Sequence, residues 1–138
     1  MSAQNLLPDH TIIVTGAATG IGQAFALGAA AQGAHVLVAD MNAADETMDL
    51  IRQAGGRSTY AKVDVSDDAS VKAMAETAIQ ATGRIDGLIN NAAYFREVKL
   101  TPFEELDPAI WDRIFQVNVK GVWLCCKAWI GLEDASRL

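Results

Sequence analysis

Residues 11–22 read TIIVTGAATGIG, and the reading of this stretch decides the fold. Thr11 to Thr15 is an apolar, β-branched run too short for a helix, which predicts a central strand buried on both faces. Gly16, Gly20 and Gly22 follow. The small residues from Gly22 onward, GQAFALGAAAQG, predict a helix that lies close to its sheet and stops at Gly33. A strand that leads through glycines into a helix leaves backbone N–H groups free at the helix N-terminus. The helix dipole favours an anion there, and no side chain holds a phosphate away. A glycine triplet by itself is equally compatible with a tight turn that holds no ligand.

Outward from this turn, strands and helices alternate. HVLVAD (35–40) predicts a second strand, residues 44–54 a helix closed by Gly55 and Gly56, and STYAKVDV (58–65) a third strand. Val71, Met74, Ala75, Ala78 and Ile79 recur at helical spacing behind a Ser66/Asp67 cap, with Gly83 as terminator. IDGLIN (85–90) predicts a fourth strand, and residues 91–107 a loop. Asp107 and Pro108 start one last helix that runs to about Ile130. Its apolar residues form two stripes, one through Ile110, Ile114, Val117, Gly121 and Leu124 and one through Phe115, Val119, Val122 and Cys126. So wide a surface calls for cover on two sides. The order of elements predicts an α/β fold, a Rossmann-type doubly wound parallel sheet with strand order 3-2-1-4, in a single domain over residues 1–138.

Asp40 gives the glycine turn a partner. It ends the second strand 20 residues after Gly20, where a carboxylate accepts hydrogen bonds from an adenosine ribose. The same carboxylate repels a 2′-phosphate, and neither Thr19 nor Met41 offers a compensating positive charge. The turn and Asp40 together therefore predict NAD in preference to NADP.

Composition removes other classes. The 138 residues carry 11 basic against 17 acidic side chains, a formal net charge of −6, and the basic residues are scattered, so nucleic acid is not expected as a partner. MSAQNLLPDH has no basic region followed by an apolar one, and no apolar run approaches a membrane span, so no membrane partner and a cytoplasmic location are expected. The adjacent Cys125 and Cys126 read as small core residues, His10 and His35 as structural or exposed, and no metal site is expected.

Four ordered motifs make residues 11–130 similar to the short-chain dehydrogenase/reductase family: TGAATGIG (15–22), VDV (63–65), NNAA (90–93) and VNVKG (117–121). The resemblance implies that Gly16, Thr19, Gly20, Ile21 and Gly22 form the phosphate turn and that Asp40 holds the ribose. It further implies that Asp64 bonds the adenine amino group with Val65 beside the ring, and that Asn91 and Ala92 line the site near the cofactor ribose. Asn118 matches the family's catalytic-site asparagine, which orders a water connecting the catalytic lysine to solvent. Ala93 stands where the family has glycine, so its methyl group and its backbone angles are expected to affect nicotinamide placement.

The family's proton transfer runs through a tyrosine with a lysine four residues later. Tyr60 is followed at that spacing by Asp64 and Tyr94 by Val98, so the 138 residues hold no such pair. The expectation is a truncated NAD-binding portion of an alcohol or carbonyl oxidoreductase, incomplete on its C-terminal side and inactive alone. A small alcohol or carbonyl substrate would bind only if the fold were completed. Two other readings stay open, a non-catalytic nucleotide- or partner-binding fragment and a non-functional truncated product. An open fourth strand and the wide last helix predict self-association.

Overall fold

The computed structural model describes residues 5–135. Strand β1 (Thr11–Thr15) lies at the centre of a four-stranded sheet ordered β3-β2-β1-β4, the predicted order. On one side β1 pairs in parallel with β2 (His35–Asp40), Thr11 facing His35 and Thr15 facing Ala39. On the other side it pairs with β4 (Gly87–Ile89), and β3 (Arg57–Lys62) lies outside β2.

The alternation of side chains along β1 and β2 divides the core. Ile12, Val14, Val36 and Val38 point to one face, where α1 (Gly20–Ala31) and α2 (Asp45–Gln53) contribute Ala26, Ala30 and Ile51. Ile13, Leu37 and Ala39 point to the other face, against Val71, Met74, Ala75 and Ala78 of α3 (Asp68–Thr82). With helices on both faces, every residue of β1 is buried, as the unbroken run TIIVT requires. Helix α3 has the ends read from its sequence. The Asp67 carboxylate accepts from the Ser70 N–H, and Gly83 closes the helix at φ +80°.

Two strands are shorter than expected. Strand β3 stops at Lys62, because its last ladder partner is Asp40 at the end of β2. Beyond the final bond, from Val63 N–H to the Asp40 carbonyl, the chain turns on Asp64, which accepts from the Ser66 and Asp67 N–H groups. Strand β4 keeps only three residues, since the Asp86 carboxylate engages the Thr11 N–H and the chain leaves the ladder at Asn90.

The last helix is not continuous. It consists of α4 (Pro108–Phe115), one wide π turn over Gln116–Lys120, and α5 (Gly121–Ala135). Val117, Gly121 and Leu124 of the first stripe are buried, while Phe115, Val119 and Val122 of the second are exposed together with Trp111 and Trp123. Trp111 and Phe115 stack at 4.8 Å. Cys125 is buried, its thiol pushed up to about 12 by desolvation and by Cys126, whereas Cys126 is half-buried with Asn90 Nδ2 at 3.6 Å from its sulfur.

Candidate functional site

The C-terminal ends of β1 and β2 open into a cavity of about 440 Å³. One wall is the glycine turn. Gly16 and Gly20 take φ +67° and +61°, which a side chain disfavours. A Cβ at Gly22 would lie 2.1 Å from the Gly16 carbonyl oxygen, so only glycine lets the first turn of α1 close against the turn. That first turn has no side-chain cap and no acidic residue. Its N–H groups are left for an anion. Thr19, Gly20 and Ile21 line the opening, while Gly22 is buried behind them.

The second wall is held by one threonine. Thr15 Oγ accepts from the Asn91 and Ala92 N–H groups, both at 3.1 Å. The Asn91 side chain returns the link, donating from Nδ2 to the carbonyls of Thr15 and Gly16 at 3.1 Å each. Asn91 and Ala92 therefore reach the cavity in fixed register with the glycine turn. Among the described residues the only non-glycine with positive φ is Asp9, so Ala93 needs no left-handed backbone and its departure from glycine costs none of the strain expected of it.

The third wall carries the acids. Asp40 is 9% exposed; its Oδ2 accepts from the Ala18 N–H and its Oδ1 from the Asn42 N–H, both at 2.9 Å. Each oxygen keeps lone-pair capacity toward the cavity. Asp64 and Val65 follow the end of β3. Asp64 Oδ1 accepts from Ser66 N–H at 2.9 Å and from Ser66 Oγ at 2.6 Å, and Arg113 of α4 stands 3.9 Å from Oδ2. Desolvation raises the Asp64 pKa, but the two Ser66 bonds and the Arg113 charge outweigh it and hold the carboxyl below its ordinary range. Gly121 lets the start of α5 approach Val65, since a Cβ there would lie 2.8 Å from Val65 Cγ2.

Asn118 does not line the cavity. It sits in the π turn, where its Oδ1 accepts from the Tyr94 N–H at 2.7 Å and its Nδ2 donates to the Tyr94 carbonyl at 3.2 Å. The amide grips the loop after Asn91 as a neighbouring strand would, and it acts on the cavity through Tyr94, which does line it. A π turn inside a helix is uncommon and concentrates at functional positions.

Sequence reasoning missed three contributors. From sequence, Thr15 reads only as the last residue of a strand. Arg113 was hidden on the polar side of a helix read for its apolar stripes. Arg96 lies in the loop, with its Nη2 3.4 Å from where a Gly20 Cβ would stand. The acidic spacing after each strand was the available signal for Arg113, since a carboxylate aimed into a cavity invites a cation on the facing helix. Among the described residues no cluster of His, Cys, Asp and Glu could hold a metal ion, and no helix is long and apolar enough to cross a membrane.

Known proteins resemble this chain over most of its length. A family model described as short chain dehydrogenase matches residues 10–135. The chain is 43% identical to an uncharacterized oxidoreductase, YxbG, of Bacillus subtilis (strain 168), over 91% of this chain and 46% of that protein. It is 39% identical to a cis-4-hydroxycyclohexanecarboxylate dehydrogenase of Sinomonas cyclohexanicum, over 86% of this chain and 47% of that one. A crystal structure of hydroxysteroid dehydrogenase from Escherichia coli superposes with a TM-score of 0.82 at 31% identity, covering 89% of this chain and 52% of that one. The chain spans about half the length of the curated relatives it matches.

Proposed function

The chain belongs to the short-chain dehydrogenase family of oxidoreductases, and from that premise we propose that it binds NAD and supplies the cofactor side of an oxidoreductase acting on an alcohol or carbonyl carbon. The observation that carries this reading is the joint geometry of the glycine turn and Asp40. An uncapped, acid-free helix N-terminus fits a pyrophosphate, and a carboxylate at the end of the next strand fits ribose hydroxyls. The donor set thus fits a dinucleotide. NAD, when bound, supplies a hydride acceptor.

In this reading the N–H groups of Gly20 and Ile21 hold the phosphates and Asp40 orients the adenosine ribose. The same carboxylate selects NAD over NADP, because a 2′-phosphate would meet a negative charge held in place by the Ala18 and Asn42 N–H groups. Asp64 receives the adenine amino group beside Val65, and Asn91 and Ala92 line the site near the cofactor ribose. Asn118 is a positioning residue for the loop at Tyr94. The 138 residues contain no Tyr-x-x-x-Lys pair, so the chemistry they provide is cofactor binding and not proton transfer to substrate. The exposed Trp111, Phe115, Val119 and Trp123 form the face through which the chain associates with a second copy of itself.

The test is calorimetric titration of the chain with NAD and with NADP, for wild type and Asp40→Ala. NAD is expected to bind more tightly than NADP, and Asp40→Ala to weaken NAD and narrow the difference. Tighter binding of NADP by the wild type would sink the assignment.

A further inference from the structure

Arg113 stands beside Asp64 without occupying it. Its Nη1 donates to Ser66 Oγ at 2.9 Å. A guanidinium only donates, so the single Ser66 hydroxyl proton turns to Asp64 Oδ1, where the Ser66 N–H also bonds. Oδ1 is then saturated. Oδ2 accepts no hydrogen bond among the described residues, and Arg113 Nη2 lies 3.9 Å from it, inside ion-pair range but beyond a hydrogen bond. One carboxylate oxygen is thus saturated, and the other keeps its accepting capacity on a residue that lines the cavity. Arg113 is itself held on two sides, by Ser66 and by the Tyr94 ring 5.9 Å from its guanidinium carbon.

We propose that Arg113, acting through Ser66, positions Asp64 Oδ2 as a dedicated acceptor and so makes the site specific for a 6-aminopurine over a 6-oxopurine. An amino group at the purine 6-position donates to such an oxygen, whereas a 6-oxo group presents a second acceptor to it and loses the bond. The proposal rests on the reading of the cavity as a dinucleotide site, with the adenine end at Asp64.

The probes are NAD and nicotinamide hypoxanthine dinucleotide, titrated into the 138-residue chain by calorimetry. Wild type is expected to prefer NAD by about tenfold or more, as for a hydrogen bond to a charged acceptor. Arg113→Met is expected to weaken NAD by about tenfold while changing the hypoxanthine dinucleotide little, so that the preference collapses, and Arg113→Lys is expected to restore part of it. Ser66→Ala breaks the same relay from its other end and serves if Arg113→Met does not fold. Equal loss of both dinucleotides, or a preference that survives both substitutions, would overturn the proposal while leaving the dinucleotide site intact. Failure of the folded wild type to bind either one would overturn the site itself.

Discussion

Two glycines in helix α1 have opposite expected responses to the same substitution. At Gly22 an added Cβ would lie 2.1 Å from the Gly16 carbonyl oxygen and 2.5 Å from Asn91 Nδ2. Both neighbours are held by the sheet, so the start of α1 must retreat by about 1 Å to restore ordinary contact. Overpacking of this kind costs about 1–3 kcal/mol, and a rigid backbone neighbour places Gly22→Ala near 3 kcal/mol. At Gly28, in the same helix, no atom lies within 4 Å of an added Cβ, and the residue is exposed. Gly28→Ala then changes only helix propensity and stabilises by about 0.5–1 kcal/mol. Urea melts should separate the two variants by roughly 4 kcal/mol, from the two estimates combined. Titration with ADP should show binding retained in Gly28→Ala and lost in Gly22→Ala, because the retreat carries the phosphate-facing N–H groups with it. A Gly22→Ala chain that melts and binds ADP like wild type would refute the close approach of turn and helix on which the site reading depends.

Asn118→Ala removes both bonds to the Tyr94 backbone and should cost about 1–3 kcal/mol, taking the usual net worth of two hydrogen bonds; an unfolding free energy within 0.5 kcal/mol of wild type would count against the clamp. Asp86 is a test by pH. Burial raises its pKa, but the Arg84 side chain and the Thr11 N–H outweigh this and hold it below the ordinary carboxylate value. A carboxyl with a lowered folded-state pKa stabilises above its unfolded value and loses that contribution as pH falls through the folded one. Asp86→Asn should therefore be less stable than wild type at pH 7, and the gap should narrow below about pH 4. A gap unchanged between pH 7 and pH 3 would show that the charge of Asp86 is irrelevant to the fold.

Much of the fold was legible because its signals are local. TIIVT and HVLVAD are unbroken apolar runs, and a strand with helices on both faces needs that pattern. The Asp67 and Asp107 caps and the glycine terminator at Gly83 also followed from sequence, since each depends on a few adjacent residues. The glycine turn was recognised for the same reason. Boundaries set by distant partners were not legible. Strand β3 ends where β2 runs out of residues to pair, and nothing in STYAKVDV marks that point. Asn118 in the π turn meets Tyr94, 24 residues earlier, and an apolar stripe read as one helix carries no trace of either the turn or the contact. Arg113 likewise gains its role only when α4 packs beside the turn at Asp64.

The fastening of residues 91 and 92 to the end of β1 joins points 76 and 77 residues apart in sequence. The glycine turn is therefore tied to a distant part of the chain. These bonds require β4 to have docked beside β1, so closing the seam between the glycine turn and residues 91 and 92 carries the entropy cost of a long loop. In the other direction, a ligand gripping this seam would draw on the whole sheet. Occupancy of the turn and survival of the fold become one equilibrium, in which each stabilises the other by mass action.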